Sequence, residues 1–161
     1  MLGALVQGAR VLVPGEGIVE TSVRIEGDKI AAVGVDAAPG DRLVDARGLL
    51  LLPGIVDLHG DAFERQIMPR PGVHFPMQVA FSDTDRQLIS NGITTAYHAV
   101  TFSWEPGLRG RETVVAIVDG LEEARPRLLA DSRFHLRFEL YNLDGADEVA
   151  DWMQRGRVDL L

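Results

Sequence analysis

The segment LLPGIVDLHGDAFER sets Asp57, His59 and Asp61 at i, i+2 and i+4, a spacing that puts three side chains on one face of a strand. An imidazole and a carboxylate two residues apart at the C-terminal end of a strand can hold one divalent ion. Asp57, one step deeper, would then orient the imidazole from behind. A lone H-x-D is common without any metal, so the rest of the chain has to support the reading. It does so in HLRFEL, where Leu136, Phe138 and Leu140 alternate with His135, Arg137 and Glu139. One face is apolar and the other polar, and Glu139 falls near the end of that strand.

The loop ERQIMPRPGVHFP carries Arg65 and Arg70, and Arg70 stands between Pro69 and Pro71, which restrict its backbone. A guanidinium held in place matches a pair of phosphate oxygens in bidentate fashion. Arg109 and Arg111, in EPGLRGRE ahead of a long helix, can add to such an anion site, as can the helix N-terminus itself. His98 closes the strand ITTAYHA and is a candidate for the mouth of the site, with a core histidine as the alternative. His74 lies in a loop and His135 at a strand start, and neither has an assigned partner. Gly15 and Gly17 in PGEGIVE read as a turn and not as a phosphate loop.

The elements that must position these residues fall into two groups. Residues 1–52 read as a small antiparallel β module, with an EGDK hairpin turn between Val23, Ile25 and Ile30, Ala32. Residues 53–161 alternate strand and helix, which predicts βα units on a parallel sheet. The helix predicted over 113–130 is the plainest, with Val114, Ile117, Val118, Leu121, Leu128 and Leu129 in one stripe. Strands are expected over 55–58, 93–99, 135–141 and 158–161, and helices over 75–90 and 146–154.

A (β/α)8 barrel takes roughly 200 residues or more. The 109 residues from Pro53 onward make three to four βα units, so the chain reads as an N-terminal piece of a barrel. An open four-stranded α/β domain is the alternative. The 161 residues hold 24 acidic against 16 basic side chains and no cysteine, for a net charge of -8. Disulfides and thiolate ligands are excluded, and a nucleic-acid partner or an anionic membrane has no basic footprint to meet. No signal sequence or membrane span is evident, and a cytoplasmic location is expected.

A β-rich module that ends in L-P-G-I-V-D-L-H and runs into βα units resembles the amidohydrolase superfamily. The Asp in place of the second histidine of H-x-H, together with ERQIMPRPGV, NGITT and HLRFE, resembles its narrower PhnM group, the hydrolases of phosphonate use. That resemblance covers residues from about Gly27 to Leu161. Where the group has an Asn after the H-x-D aspartate, this chain has Ala62, and where it has a histidine pair after the strand glutamate, this chain reads YNLD.

The resemblance implies an α/β fold, the N-terminal portion of a metal-dependent-hydrolase TIM barrel preceded by a β-sandwich segment. It implies one or two divalent ions, zinc above all, held by His59, Asp61 and Glu139, with Asp61 and Glu139 catalytic. Many superfamily members bridge two ions with a carboxylated lysine. The sole lysine here, Lys29, lies in the hairpin, which leaves Glu139 as the strand carboxylate, with an ion pair to Arg137 or Arg65 as its structural alternative. The implied activity releases pyrophosphate from a phosphorylated ribose phosphonate, with Arg65, Arg70, Arg109, Arg111 and His98 on the substrate and a homo-oligomer at full length. The alternatives are hydrolysis of a C–N bond, or a chain that needs a partner to be active.

Overall fold

The computed structural model describes residues 3–161, which form two compact units meeting in sequence at Pro53 and Gly54.

The first unit is one five-stranded sheet. β1 (Ala4–Val13), β2 (Gly17–Glu26) and β3 (Lys29–Val33) pair antiparallel in the order β3-β2-β1, and the β2–β3 turn is the predicted EGDK hairpin. The expectation of a purely antiparallel module needs correcting. β4 (Arg42–Asp45) and β5 (Leu50–Leu51) both run parallel to β1, one beside each half of it. A ten-residue β1 is long enough to take both short strands on its outer edge. Between Val6 and Ala9 β1 carries one extra residue relative to β2, at the point where Gly8 adopts φ 78°. The bulge shifts the alternation by one, so Val6 joins Ala9, Val11 and Val13 in a cluster with Val23, Ile25, Ala46 and Leu51.

The second unit is a three-stranded parallel sheet in the order β6-β7-β8, with β6 at Ile55–Gly60, β7 at Ile93–Phe102 and β8 at Asp131–Phe138. α1 (Phe63–Ile67) and α2 (Met77–Ser90) connect the first pair, α3 (Arg111–Ala124) the second, and α4 (Ala146–Gln154) follows β8. Their apolar faces bury Phe63, Phe81, Phe102, Ile117, Leu121 and Trp152, among others, in one core. α2 and α3 approach closely at Gly120, where a β-carbon would lie 3.2 Å from that of Met77. Among the described residues no helix is long and apolar enough to cross a membrane.

Several boundaries differ from the sequence reading, three of them by residues that matter to the site. α3 ends at Ala124 and passes into a 3-10 turn over Arg125–Arg127, because Pro126 has no N–H to continue the helix. Leu128 is then only half-buried and Leu129 is exposed. β8 starts at Asp131, four residues earlier than expected. The buried carboxylate of Asp85 on α2 accepts the N–H groups of Leu129 and Ala130 at 2.8–3.1 Å and fixes the entry to the strand. β8 closes at Phe138, which leaves Glu139 as the first residue beyond it and Leu140 exposed. The segment expected as a fourth strand makes one parallel bridge, Leu160 beside His135, with Leu136 donating to the Leu160 carbonyl at 2.8 Å.

Candidate functional site

The register of the parallel strands sorts the candidates by face. β7 and β8 pair Ala96 with Ser132, His98 with Phe134 and Val100 with Leu136, and these residues are buried under the helices. The alternate pairs are Tyr97 with Arg133, Ala99 with His135 and Thr101 with Arg137, which make the polar face.

β6 carries the central segment, and its alternation is interrupted. Asp57 aligns with Ala96 but Gly60 with His98, three steps against two. Asp57 therefore lies on the helix-facing side with Gly60, and His59, which meets His135, on the polar side, while Asp61 follows the end of the strand. The expectation that all three share one face is corrected by this bulge. Asp57 still acts on its neighbour, since its Oδ1 accepts the backbone N–H of His59 at 3.0 Å. It holds the main chain at His59 and not the imidazole.

His59 meets His135 from across the sheet, with ring centres 5.2 Å apart and planes at 80°. His135 reaches β6 as well, its Nδ1 lying 3.1 Å from the Leu58 carbonyl. A carbonyl only accepts, so Nδ1 carries the proton and, in the neutral ring, Nε2 is bare. Ala99, the register partner of His135 and fully buried, is small enough for the ring to lie across β7. Partial burial holds the His135 pKa below the usual histidine value, the Leu58 hydrogen bond opposes that, and the nearby His59 and Arg137 add to the lowering. The sequence reading left His135 unassigned, yet its parity with Glu139 in HLRFEL was the signal that could have placed it.

Asp61 is exposed directly after β6, and Glu139 is half-buried directly after β8. The Glu139 N–H donates to the Phe102 carbonyl at 3.1 Å, which ties this residue to the end of β7. Among the described residues neither carboxylate enters an ion pair, and Glu139 is not engaged by Arg137 or Arg65. In kind, one imidazole and two uncommitted carboxylates suit a divalent ion. In place they do not complete its shell: among the described residues no three His, Asp or Glu side chains converge on one point.

Two candidates depart from the anion-binding expectation. Arg111 donates through Nε and Nη2 to the two carboxylate oxygens of Glu148 on α4 at 2.7 Å each, a clamp between α3 and α4. Its fork is occupied by a carboxylate. His98 is 2% exposed and stands edge-on to Phe63 and Phe81, with ring centres 5.5 and 6.0 Å away. Its strand parity puts it with Ala96 and Val100, so it is a core histidine and does not reach the mouth. Arg65 on α1, Arg70 and Arg109 are exposed. Arg109 accepts the Ser103 N–H through its carbonyl, which folds its loop back to the end of β7. A concavity of about 580 Å³ bounded by Gln66, Phe75, Gln78 and Arg86 contains none of the candidates.

Burial pushes the His98 pKa down from 6.5 to about 4, against the opposing charges of Asp57 and Asp85, while Arg125 lowers it further. The unfolded chain takes up this proton near pH 6.5 and the folded chain only near 4. Its contribution is complete above pH 6.5 and is lost as pH falls toward 4, on the order of 3 kcal/mol in all. As pH falls through that window the wild type is expected to lose urea stability that His98→Leu keeps, so the midpoint difference shifts toward the variant by that amount. Parallel pH profiles would contradict the assignment.

The whole chain superposes on the N-isopropylammelide isopropylaminohydrolase of Burkholderia multivorans with TM-score 0.62 and 21% identity, over 44% of that protein. No family model matches the chain. In sequence it is 31% identical over 126 residues to the alpha-D-ribose 1-methylphosphonate 5-triphosphate diphosphatase of Escherichia coli K12, 76% of this chain and 33% of that enzyme. These likenesses give the chain the fold of the N-terminal part of amidohydrolase-superfamily proteins. A second relative, the dihydroorotase of Bacillus licheniformis, is 48% identical over 42 residues, which are 26% of this chain and 10% of that enzyme. The chain thus spans a third or less of the curated relatives it matches.

Proposed function

We propose that the protein is a metal-dependent hydrolase that cleaves a phosphoric anhydride and releases pyrophosphate from a triphosphorylated ribose phosphonate. The observation that carries this reading is the 31% identity to the diphosphatase, the match among these that runs over most of the chain. His59 on the polar face, Asp61 just past the end of β6 and Glu139 just past the end of β8 would hold the ion, and donors outside these residues would complete its shell. When bound, such an ion lowers the pKa of water toward about 7 and so supplies the nucleophile. The chain's own part is positional. Asp57 fixes the main chain at His59, the Phe102 carbonyl fixes Glu139, and Arg65, Arg70 and Arg109 offer guanidinium groups to phosphate oxygens. Arg111, held by Glu148, has no place in that set.

A second reading keeps the ion and changes the bond to C–N, and the dihydroorotase similarity favours it. The two separate by assay of the protein expressed from its complete reading frame. Pyrophosphate released from the ribose phosphonate triphosphate, and abolished by a chelator, is the expected result. Opening of a cyclic amide with no pyrophosphate release would move the assignment to the second reading.

A further inference from the structure

We propose that Trp104 and Tyr141 bind the ribose ring of the substrate, beside a phosphate held by Arg109. The inference rests on the diphosphatase reading above and names the part of the chain that recognises the sugar. Both aromatic side chains are exposed, yet the main chain under them is fixed. The Ser103 N–H donates to the Arg109 carbonyl at 2.9 Å and closes a loop. Inside it the buried Ser103 hydroxyl accepts the Glu105 N–H at 3.1 Å, so Trp104 turns outward between two held residues. Gly110 completes the closure, since a β-carbon there would lie 2.8 Å from the Glu105 carbonyl oxygen. Tyr141 sits in a second turn, closed by the Asn142 N–H on the Glu139 carbonyl at 2.9 Å, and Glu139 is itself tied to Phe102, the residue before Ser103. Two tight turns therefore spring from the C-terminal end of β7 and bring the rings together, 6.1 Å apart with planes at 84°. Ligands of parallel α/β sheets bind at that end of the strands. Aromatic faces held in water gain from being covered, and a loop already fixed loses little entropy when a ligand covers them. The corner they make suits a furanose: one aromatic ring takes its apolar C–H face, and the indole N–H and phenol O–H are the polar handles for its hydroxyls. A flat heterocycle gripped on both faces would need the two rings parallel. The same closed loop ends in the exposed Arg109, so an apolar platform and an anion donor share one rigid segment, the pairing that a sugar phosphate requires.

The test uses the protein from its complete reading frame. Trp104→Ala is expected to raise KM for the ribose phosphonate triphosphate by about 10-fold with kcat held within about twofold, the mark of lost binding shared by ground and transition states. Inhibition by pyrophosphate, which has no ring, should keep its wild-type strength, and Trp104→Phe, which keeps one, should restore most of the KM. An unchanged KM in Trp104→Ala, or pyrophosphate inhibition weakened to the same degree, overturns the proposal and leaves the diphosphatase reading intact. Where the wild type releases no pyrophosphate, or the alanine variant does not fold, tryptophan emission decides. Trp104 is exposed and Trp152, the other tryptophan, is buried, so ribose 5-phosphate at the corner must change the emission of the wild type and not that of Trp104→Phe. That change in a protein without pyrophosphate release keeps the sugar subsite and discards the diphosphatase reading. No response to ribose 5-phosphate overturns the subsite, and a response to hydantoin in its place would make the corner a seat for a flat cyclic amide.

Discussion

Asp61→Ala in the protein expressed from its complete gene is expected to lower turnover by more than about 100-fold. Even a residue that only supports a metal ligand costs roughly 10- to 100-fold when removed, and a ligand itself should exceed that range. The side chain is exposed immediately after β6 and among the described residues makes no ion pair, so its loss leaves no buried partner behind. Stability should stay within about 0.5 kcal/mol of the wild type, as for most surface substitutions. A large loss of rate with an unchanged melt is the signature of a functional carboxylate. Normal turnover with normal metal content would remove Asp61 from the site.

Phe63→Ala should have the largest effect on stability, about 3–5 kcal/mol, the usual cost of deleting a buried phenyl ring. Phe63 is fully buried, lies 6.3 Å from Phe81 at a near-parallel 14° and stands edge-on to His98. α1 has five residues, far too few to persist as an isolated helix. Its buried anchors are Phe63 and Ile67, and it follows Asp61 by two residues. Urea unfolding should show a lower midpoint with the slope retained. A loss under about 1 kcal/mol would mean that α1 is not held by this ring and that the segment after Asp61 is fixed in some other way.

The outcome for each candidate depended on how far away its deciding partner lies. The helix stripe of Val114, Ile117, Val118 and Leu121 was legible because helical periodicity is a property of neighbours, and the same residues are buried. The turn at Pro126 was legible in principle, since a proline cannot supply the next helical N–H, yet the apolar Leu128 and Leu129 extended the stripe past it. Arg111 reads locally as an anion donor; its partner Glu148 lies 37 residues on, and no local pattern announces it. His98 was open to either face of ITTAYHAVTF. The face it shares with Ala96, Val100 and Phe102 is the more apolar one, a cue that the residues themselves contained.

By itself the sequence determined the class of the fold, the succession of a β sheet and βα units, and the kinds of donor available to an ion: imidazole and carboxylate, without thiolate. Those follow from composition, from periodicities of two and 3.6 residues, and from the resemblance carried by the L-P-G-I-V-D-L-H and HLRFE segments. The tertiary structure alone decided which donors face one another. A single extra residue between Asp57 and Gly60 shifts the alternation, sends Asp57 to the helix side and leaves His59 opposite His135. Bulges and cross-strand register are set by hydrogen bonds between segments tens of residues apart, and a period read along one strand carries no record of them.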